Sequence, residues 1–143
     1  MYTMMQVCRE LDMTYQTLKF YCNEGLVPNV KRDHNNRRVF DEKDVKWIKD
    51  LTCLKKCGMS IQEMKKYLEL CLQGEATIVS RKKMLARKQE ELRASIKELE
   101  DSISYIGWKQ NFYDEVLSGK RPYVSNLIRT AEKKPLASEL FRD

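Results

Sequence analysis

Apolar residues change their spacing along this chain, and each change predicts a different kind of element. Val7 and Leu11 sit one turn apart on a first helical segment, and Leu18 and Tyr21 recur at helical spacing on a second. Asp12-Met13 leaves only a tight link between the two. Thr14 precedes the second segment, where its hydroxyl can accept an otherwise orphan backbone N–H. Tyr15, Gln16 and Lys19 then face away from Leu18 and Tyr21, so this helix offers a polar side. Gly25 and Pro28 carry the chain out of it. Lys31, Arg32, Arg37 and Arg38 follow, grouped around Asn35-Asn36, a pair that tolerates the left-handed backbone a hairpin needs. Helix, short turn, capped helix and basic hairpin together predict a winged helix-turn-helix, whose second helix docks in the major groove of DNA.

A second helical pair follows. Asp41 opens it with Asp44 three residues on, where an acidic side chain suits the positive end of a helix. Val45, Trp47, Ile48, Leu51 and Leu54 supply its apolar face, and Gly58 is a natural stop. Ser60 and Glu63 have the spacing of a capping box, followed by Ile61, Met64, Leu68 and Leu72. The predicted helices are 41–57 and 60–72, and Gly74 then interrupts. From 75 to 118 there is no proline, and Ile78, Leu85, Leu92, Leu99 and Ile106 fall seven apart, with Ile96 and Ile103 in the alternate seam. Charged residues fill the other positions, as in a coiled coil. At ~1.5 Å per residue this helix approaches ~60 Å, more seam than a small domain can bury. A second copy of the chain is the simplest partner; a seam folded back on the head is the alternative. Leu85, Leu92, Ile96, Leu99, Ile103 and Ile106 form the expected dimer seam. Residues 119–143 read as a short tail, with a possible short helix between Pro122 and Pro135 and a disordered end.

The formal net charge of +6 is modest, and both halves share it: residues 1–72 carry 13 basic and 10 acidic side chains, residues 73–143 carry 14 and 11. Distribution therefore matters more than the sum. Within 19–38 five basic residues face only Glu24 and Asp33, which suits phosphates better than a membrane. No stretch approaches the ~20 apolar residues of a spanning helix, and the start has no signal-peptide pattern. A cytoplasmic location is expected, with the five cysteines mostly free thiols. One histidine, no Gly-rich phosphate loop and no nucleophile–base pair leave no catalytic set and no expected cofactor. An adaptor built only on the coiled coil would leave the capped helix and basic hairpin unexplained.

Tyr2-Thr3, Thr14, Thr17-Leu18, Tyr21, Gly25-Leu26, Pro28, Arg38-x-Phe40, Asp44, Gly58 and Ser60-Ile61 resemble, in register, the N-terminal domain of the MerR family of bacterial transcription regulators. The chain departs from the family pattern at Lys19-Phe20-Tyr21-Cys22 and at Asn36-Arg37-Arg38. Lys for Arg keeps a positive charge but loses the bidentate fork. The resemblance implies a homodimer on a pseudo-palindromic promoter, with an antiparallel coiled coil over 75–118 behind a DNA-binding domain over 1–73. It further implies distortion of the promoter so that RNA polymerase can engage it. Thr3, Tyr15, Gln16, Lys19, Phe20, Lys31, Arg37 and Arg38 are the expected contacts to double-stranded DNA. The segment around LTCLKKCGMS is similar to the aldehyde-responsive branch of the family, which carries a sensing thiol onto Cys53. Packing is the competing role for Cys53. Lys49 and Lys56 favour its thiolate, and the negative end of its helix opposes it. Metal sensing is disfavoured: Cys53 and Cys57 share a helix face, but no cysteine follows Cys71, and His34 lies in the hairpin. A metal-responsive or ligand-independent regulator of the same fold is the alternative.

Overall fold

The computed structural model describes residues 1–129. Its elements are β1 (Tyr2–Thr3), α1 (Met4–Leu11), α2 (Tyr15–Asn23), β2 (Lys31–Arg32), β3 (Arg38–Phe40), α3 (Glu42–Lys56), α4 (Ile61–Leu72) and α5 (Ile78–Leu117). A 3-10 turn, Gly74–Thr77, joins α4 to α5. The molecule is mainly helical, as the apolar periodicity predicts.

The helix boundaries fall where the capping chemistry puts them. Thr14 Oγ1 accepts from the Thr17 N–H at 3.1 Å, starting α2. Asp41 with Asp44, and Ser60 with Glu63, form reciprocal capping boxes on α3 and α4. Asp12 ends α1 in the left-handed region, at φ 50°, and this makes the link to α2 tight. Gly58, at φ +85°, turns the chain from α3 into α4.

One core joins these elements. Val7, Leu18, Leu26, Phe40, Ile48, Leu51 and Met64 are fully buried, so the four helices α1 to α4 and strand β3 all contribute to it. Trp47 on α3 donates its indole N–H to Leu26 O at 2.7 Å and stacks on Tyr67 of α4 at 6.3 Å. It pins the exit from α2 to the second helical pair. The sheet has the order β1-β3-β2, antiparallel throughout, with Tyr2 opposite Phe40 and Arg32 opposite Arg38. Strand β1 is not predicted by the apolar pattern, because two residues are too few to show an alternation.

The chain divides into two units, Met1–Leu92 and Arg93–Asp143. In the first unit, Met84 packs against the core and Lys88 Nζ bonds Glu63 Oε2 at 3.0 Å, so the early turns of α5 belong with the head. In the second, Phe112 is buried, ringed by Trp108 and Tyr113 with the Arg121 guanidinium 5.2 Å above it. Residues 118–129 contain no helix; Ser125 Oγ accepts from the Leu127 and Ile128 N–H groups at 3.1 Å, a local turn that competes with one. The rest of the helix expected between Pro122 and Pro135, and the disordered end, lie outside the described residues. Among the described residues no helix is long and apolar enough to cross a membrane.

Candidate nucleic-acid interface

Strand β3 assembles the site. It pairs with β2 to close the hairpin and with β1 on its other edge, bringing Thr3 opposite Val39. The start of α1 thereby comes to lie beside the basic hairpin. Between them opens a cleft of about 430 Å³. Thr3, Met4 and Met5 line it from the start of α1, Tyr15 from the start of α2, and Arg32, Asp33, Asn36, Arg37 and Arg38 from the hairpin. Two helix N-termini and three guanidinium groups border one concavity, an arrangement that favours an anion such as a backbone phosphate.

The hairpin is stiffened from within. Asn36 takes the left-handed conformation, φ 60°, that its residue type tolerates. The Asp33 carboxylate accepts from the backbone N–H groups of Asn35 at 2.9 Å and Arg37 at 3.0 Å. The Arg37 bond is the largest influence holding that carboxyl below its ordinary range. Arg32 Nη1 donates to Asn36 O at 2.8 Å, and Arg38 Nη2 to Asn23 Oδ1 at 2.6 Å. The second of these bonds ties the hairpin to the end of α2.

Lys31 occupies a different place from its neighbours. Its ammonium donates to Asp41 Oδ2 at 2.8 Å, Asp44 Oδ2 at 3.1 Å and Asn29 O at 3.0 Å. The Lys31 bond is the first cause of an Asp41 carboxyl lowered to about 2, and the Asp41 bond pushes the Lys31 ammonium up. Asp44 is only 5% exposed, so Lys31 neutralises an acid that the capping box draws into the fold.

Of the expected contact residues, Thr3, Tyr15, Arg37 and Arg38 meet in the cleft. Gln16, Lys19 and Phe20 are exposed on α2 and do not line it. Lys31 lies in its own ion-pair cluster. Arg32 lines the cleft as well; it belongs to the basic run, and nothing in its local spacing sets it apart from Lys31 beside it. Thr3 is also the N-cap of α1, its hydroxyl accepting from Gln6 while the Gln6 side chain takes the Thr3 N–H. The Thr-x-x-Gln spacing was a legible signal for that helix start.

The cysteines separate by environment. Cys8 is buried in the core and burial pushes its thiol up. Cys22 is half-buried and raised for the same reason, with Arg38 and Arg32 opposing. Cys53 is exposed near the end of α3, one turn before the half-buried Cys57. Cys71 lies 3.9 Å from Arg81 Nη1 and borders a smaller cleft of about 190 Å³ with Trp47 and Leu72. Among the described residues no group of three or more His, Cys, Asp or Glu is placed to hold a metal ion.

Comparison with known proteins supplies the frame for this geometry. Residues 2–71 match the family described as MerR HTH family regulatory protein, and residues 45–106 match the one described as MerR, DNA binding. An uncharacterized HTH-type transcriptional regulator of Haemophilus influenzae is 33% identical over 114 residues, covering 80% of this chain and 84% of its own. The HTH-type transcriptional regulator AdhR of Bacillus subtilis is 37% identical over 87 residues, 61% of this chain and 62% of its own. Among solved structures, HiNmlR, a MerR family regulator lacking the sensor domain and bound to promoter DNA, aligns with a TM-score of 0.69 at 32% identity. That alignment covers 82% of this chain and 89% of HiNmlR.

Proposed function

The chain belongs to the MerR family of DNA-binding helix-turn-helix transcription regulators, and from that premise we propose how its parts divide the work. The head grips promoter DNA, with the cleft between α1, α2 and the hairpin seated on a backbone phosphate. One observation carries this reading: Thr3, Tyr15, Arg32, Arg37 and Arg38, from three separate stretches of sequence, line one cavity, with β3 bringing Thr3 beside the hairpin. Gln16, Lys19 and Phe20, exposed on α2, are the side chains left to meet base edges and neighbouring phosphates. Lys31 serves the head differently, holding Asp41 and Asp44 so that the hairpin and α3 keep their angle.

Two heads act together. Leu85, Leu92, Ile96, Leu99, Ile103 and Ile106 are exposed on α5, between 39% and 70%, an apolar seam that supports a homodimer through an antiparallel coiled coil. A two-fold dimer calls for a pseudo-palindromic site. Regulation then works through promoter shape, with RNA polymerase engaging DNA that the dimer has distorted. Cys53 is the proposed sensing thiol and electrophiles such as reactive aldehydes the stimulus; its exposure and the similarity of its segment to the aldehyde-responsive branch support this.

Binding of the purified protein to its own promoter region and to a random duplex, measured across a salt series, tests the core of this reading. A DNA-binding head loses affinity steeply as salt rises, and binds the promoter more tightly at every point. Salt-independent binding, or equal affinity for both duplexes, would remove it.

A further inference from the structure

Helix α2 turns Leu18 and Tyr21 into the core and leaves Gln16, Lys19, Phe20 and Asn23 exposed along its outer side. Steps of three and four residues connect these positions, so they form one stripe down the helix. Gln16 brings an amide to it and Lys19 an ammonium. Asn23 is already engaged, its Oδ1 accepting from Arg38 Nη2 at 2.6 Å. Phe20 differs from all three. It is 45% exposed, and its ring stands 6.4 Å from that of Tyr21, tilted by 48°, so it leans on the rim of the core without entering it.

A phenyl ring has no donor for a phosphate and no acceptor for a base amine. It therefore cannot share the work of Lys19 or Gln16 on the same stripe. The major groove of B-DNA shows one methyl group, the 5-methyl of thymine; the other base edges present N7, O6, O4, N6 and N4. Pressing an aromatic ring onto those polar atoms would strip their water and give nothing back. Position along the helix agrees. Tyr15, at the start of α2, lines the cleft with Arg37 and Arg38. Phe20 lies five residues further on, about 7.5 Å along the helix axis at the usual rise, or roughly two base-pair steps.

We infer that Phe20 reads thymine: its ring seats on the 5-methyl group of one thymine in the promoter site and sets the base preference there. This rests on the reading that α2 faces the major groove, and it names what the helix selects. Lys19, next to it on the stripe, holds the neighbouring backbone. Gln16, one turn earlier, meets an adjacent base edge. Specificity at the thymine comes from an apolar contact, so it is insensitive to salt, unlike the grip of the arginines in the cleft.

A deoxyuridine scan of the chain's own promoter duplex tests this, because each replacement of a thymidine removes one methyl from the groove. The wild type should lose roughly fourfold in affinity at the contacted thymine, the worth of one buried methyl. Phe20→Ala should bind a random duplex as the wild type does, and bind the thymidine and deoxyuridine promoters equally at that position. Phe20→Gln makes the same comparison with a polar side chain of good helix propensity, and should be equally blind to the methyl. A wild type that prefers its promoter to a random duplex yet tolerates every replacement overturns the thymine contact and leaves the DNA-binding head standing. A methyl effect that persists undiminished in both variants arises from duplex stiffness or another side chain, and overturns the contact as well. Equal affinity of the wild type for promoter and random duplex removes both the contact and the reading beneath it.

Discussion

At the scale of single residues, neighbouring basic side chains of the hairpin do different jobs. Arg37 is exposed and Arg38 is steered by Asn23, both at the cleft, whereas Lys31 is spent on Asp41 and Asp44. Arg37→Ala and Arg38→Ala should therefore weaken binding to specific and random duplexes alike, each lowering the slope of log affinity against log salt by about 1. Gln16→Ala should alter sequence preference more than overall affinity. Competition binding at fixed salt separates the two effects, and an unchanged slope in both arginine variants takes the hairpin out of the contact. Lys31→Met should show itself in stability. The Asp41 carboxyl is depressed to about 2 in the fold against an ordinary ~3.9, so its contribution is present above about pH 4 and is lost as pH falls through about 2. The melting temperature of the wild type should exceed that of Lys31→Met at neutral pH, and the gap should close across that window. A gap that stays constant down to pH 2 would mean that the pair contributes nothing to this acid limb.

At the scale of elements, caps and seams set what each helix does. Ser60 and Glu63 close the start of α4, and Glu63 also receives Lys88 from α5, so one carboxylate serves two helices. That carboxyl lies below its ordinary range, first because of the Ser60 backbone bond and then because of Lys88. Ser60→Ala should cost about 1 kcal/mol in a denaturant titration, the usual loss for an N-cap hydroxyl. A cost near zero would show that water replaces the cap without penalty. The seam of α5 makes a harsher demand. Leu99→Asp puts a carboxylate where an apolar partner is proposed, which costs several kcal/mol if it is buried unpaired. Sedimentation at micromolar concentration should then show a halved mass with the helical signal of the head retained. A dimer that survives this change would place the interface elsewhere.

At the scale of the whole molecule, head and long helix have to be coupled if a signal is to reach DNA. Cys53 is exposed on α3, and α3 packs through Trp47 on α4, the helix that enters the Gly74–Thr77 turn. Added bulk at Cys53 therefore has a packed route toward the hinge. Cys53→Ser should keep promoter binding and lose the transcriptional response to an aldehyde, while Cys8→Ser, deep in the core, should respond normally if it folds. Promoter output with and without the aldehyde decides it: a full response from Cys53→Ser moves the sensor elsewhere. Silence from the wild type rules out an electrophile as stimulus.

Sequence alone determined the local features of this protein. The Thr14, Asp41 and Ser60 caps, the left-handed Asn36 and Gly58, and the seven-residue repeat of α5 could all be read directly. Each depends on residues within a turn or two of one another, where propensity and hydrogen-bonding reach suffice. Tertiary structure decided which distant groups meet. Thr3 joins the hairpin only because two residues of β1 add to the edge of β3, a pairing of about 37 positions' separation with no periodicity to announce it. Lys31 looked like its arginine neighbours until the fold set two aspartates beside it. The first turns of α5, continuous in sequence with the seam, turn out to pack Met84 and Lys88 on the head. Charge and spacing along a chain are one-dimensional; which charge is already neutralised, and by whom, is settled only when the core closes.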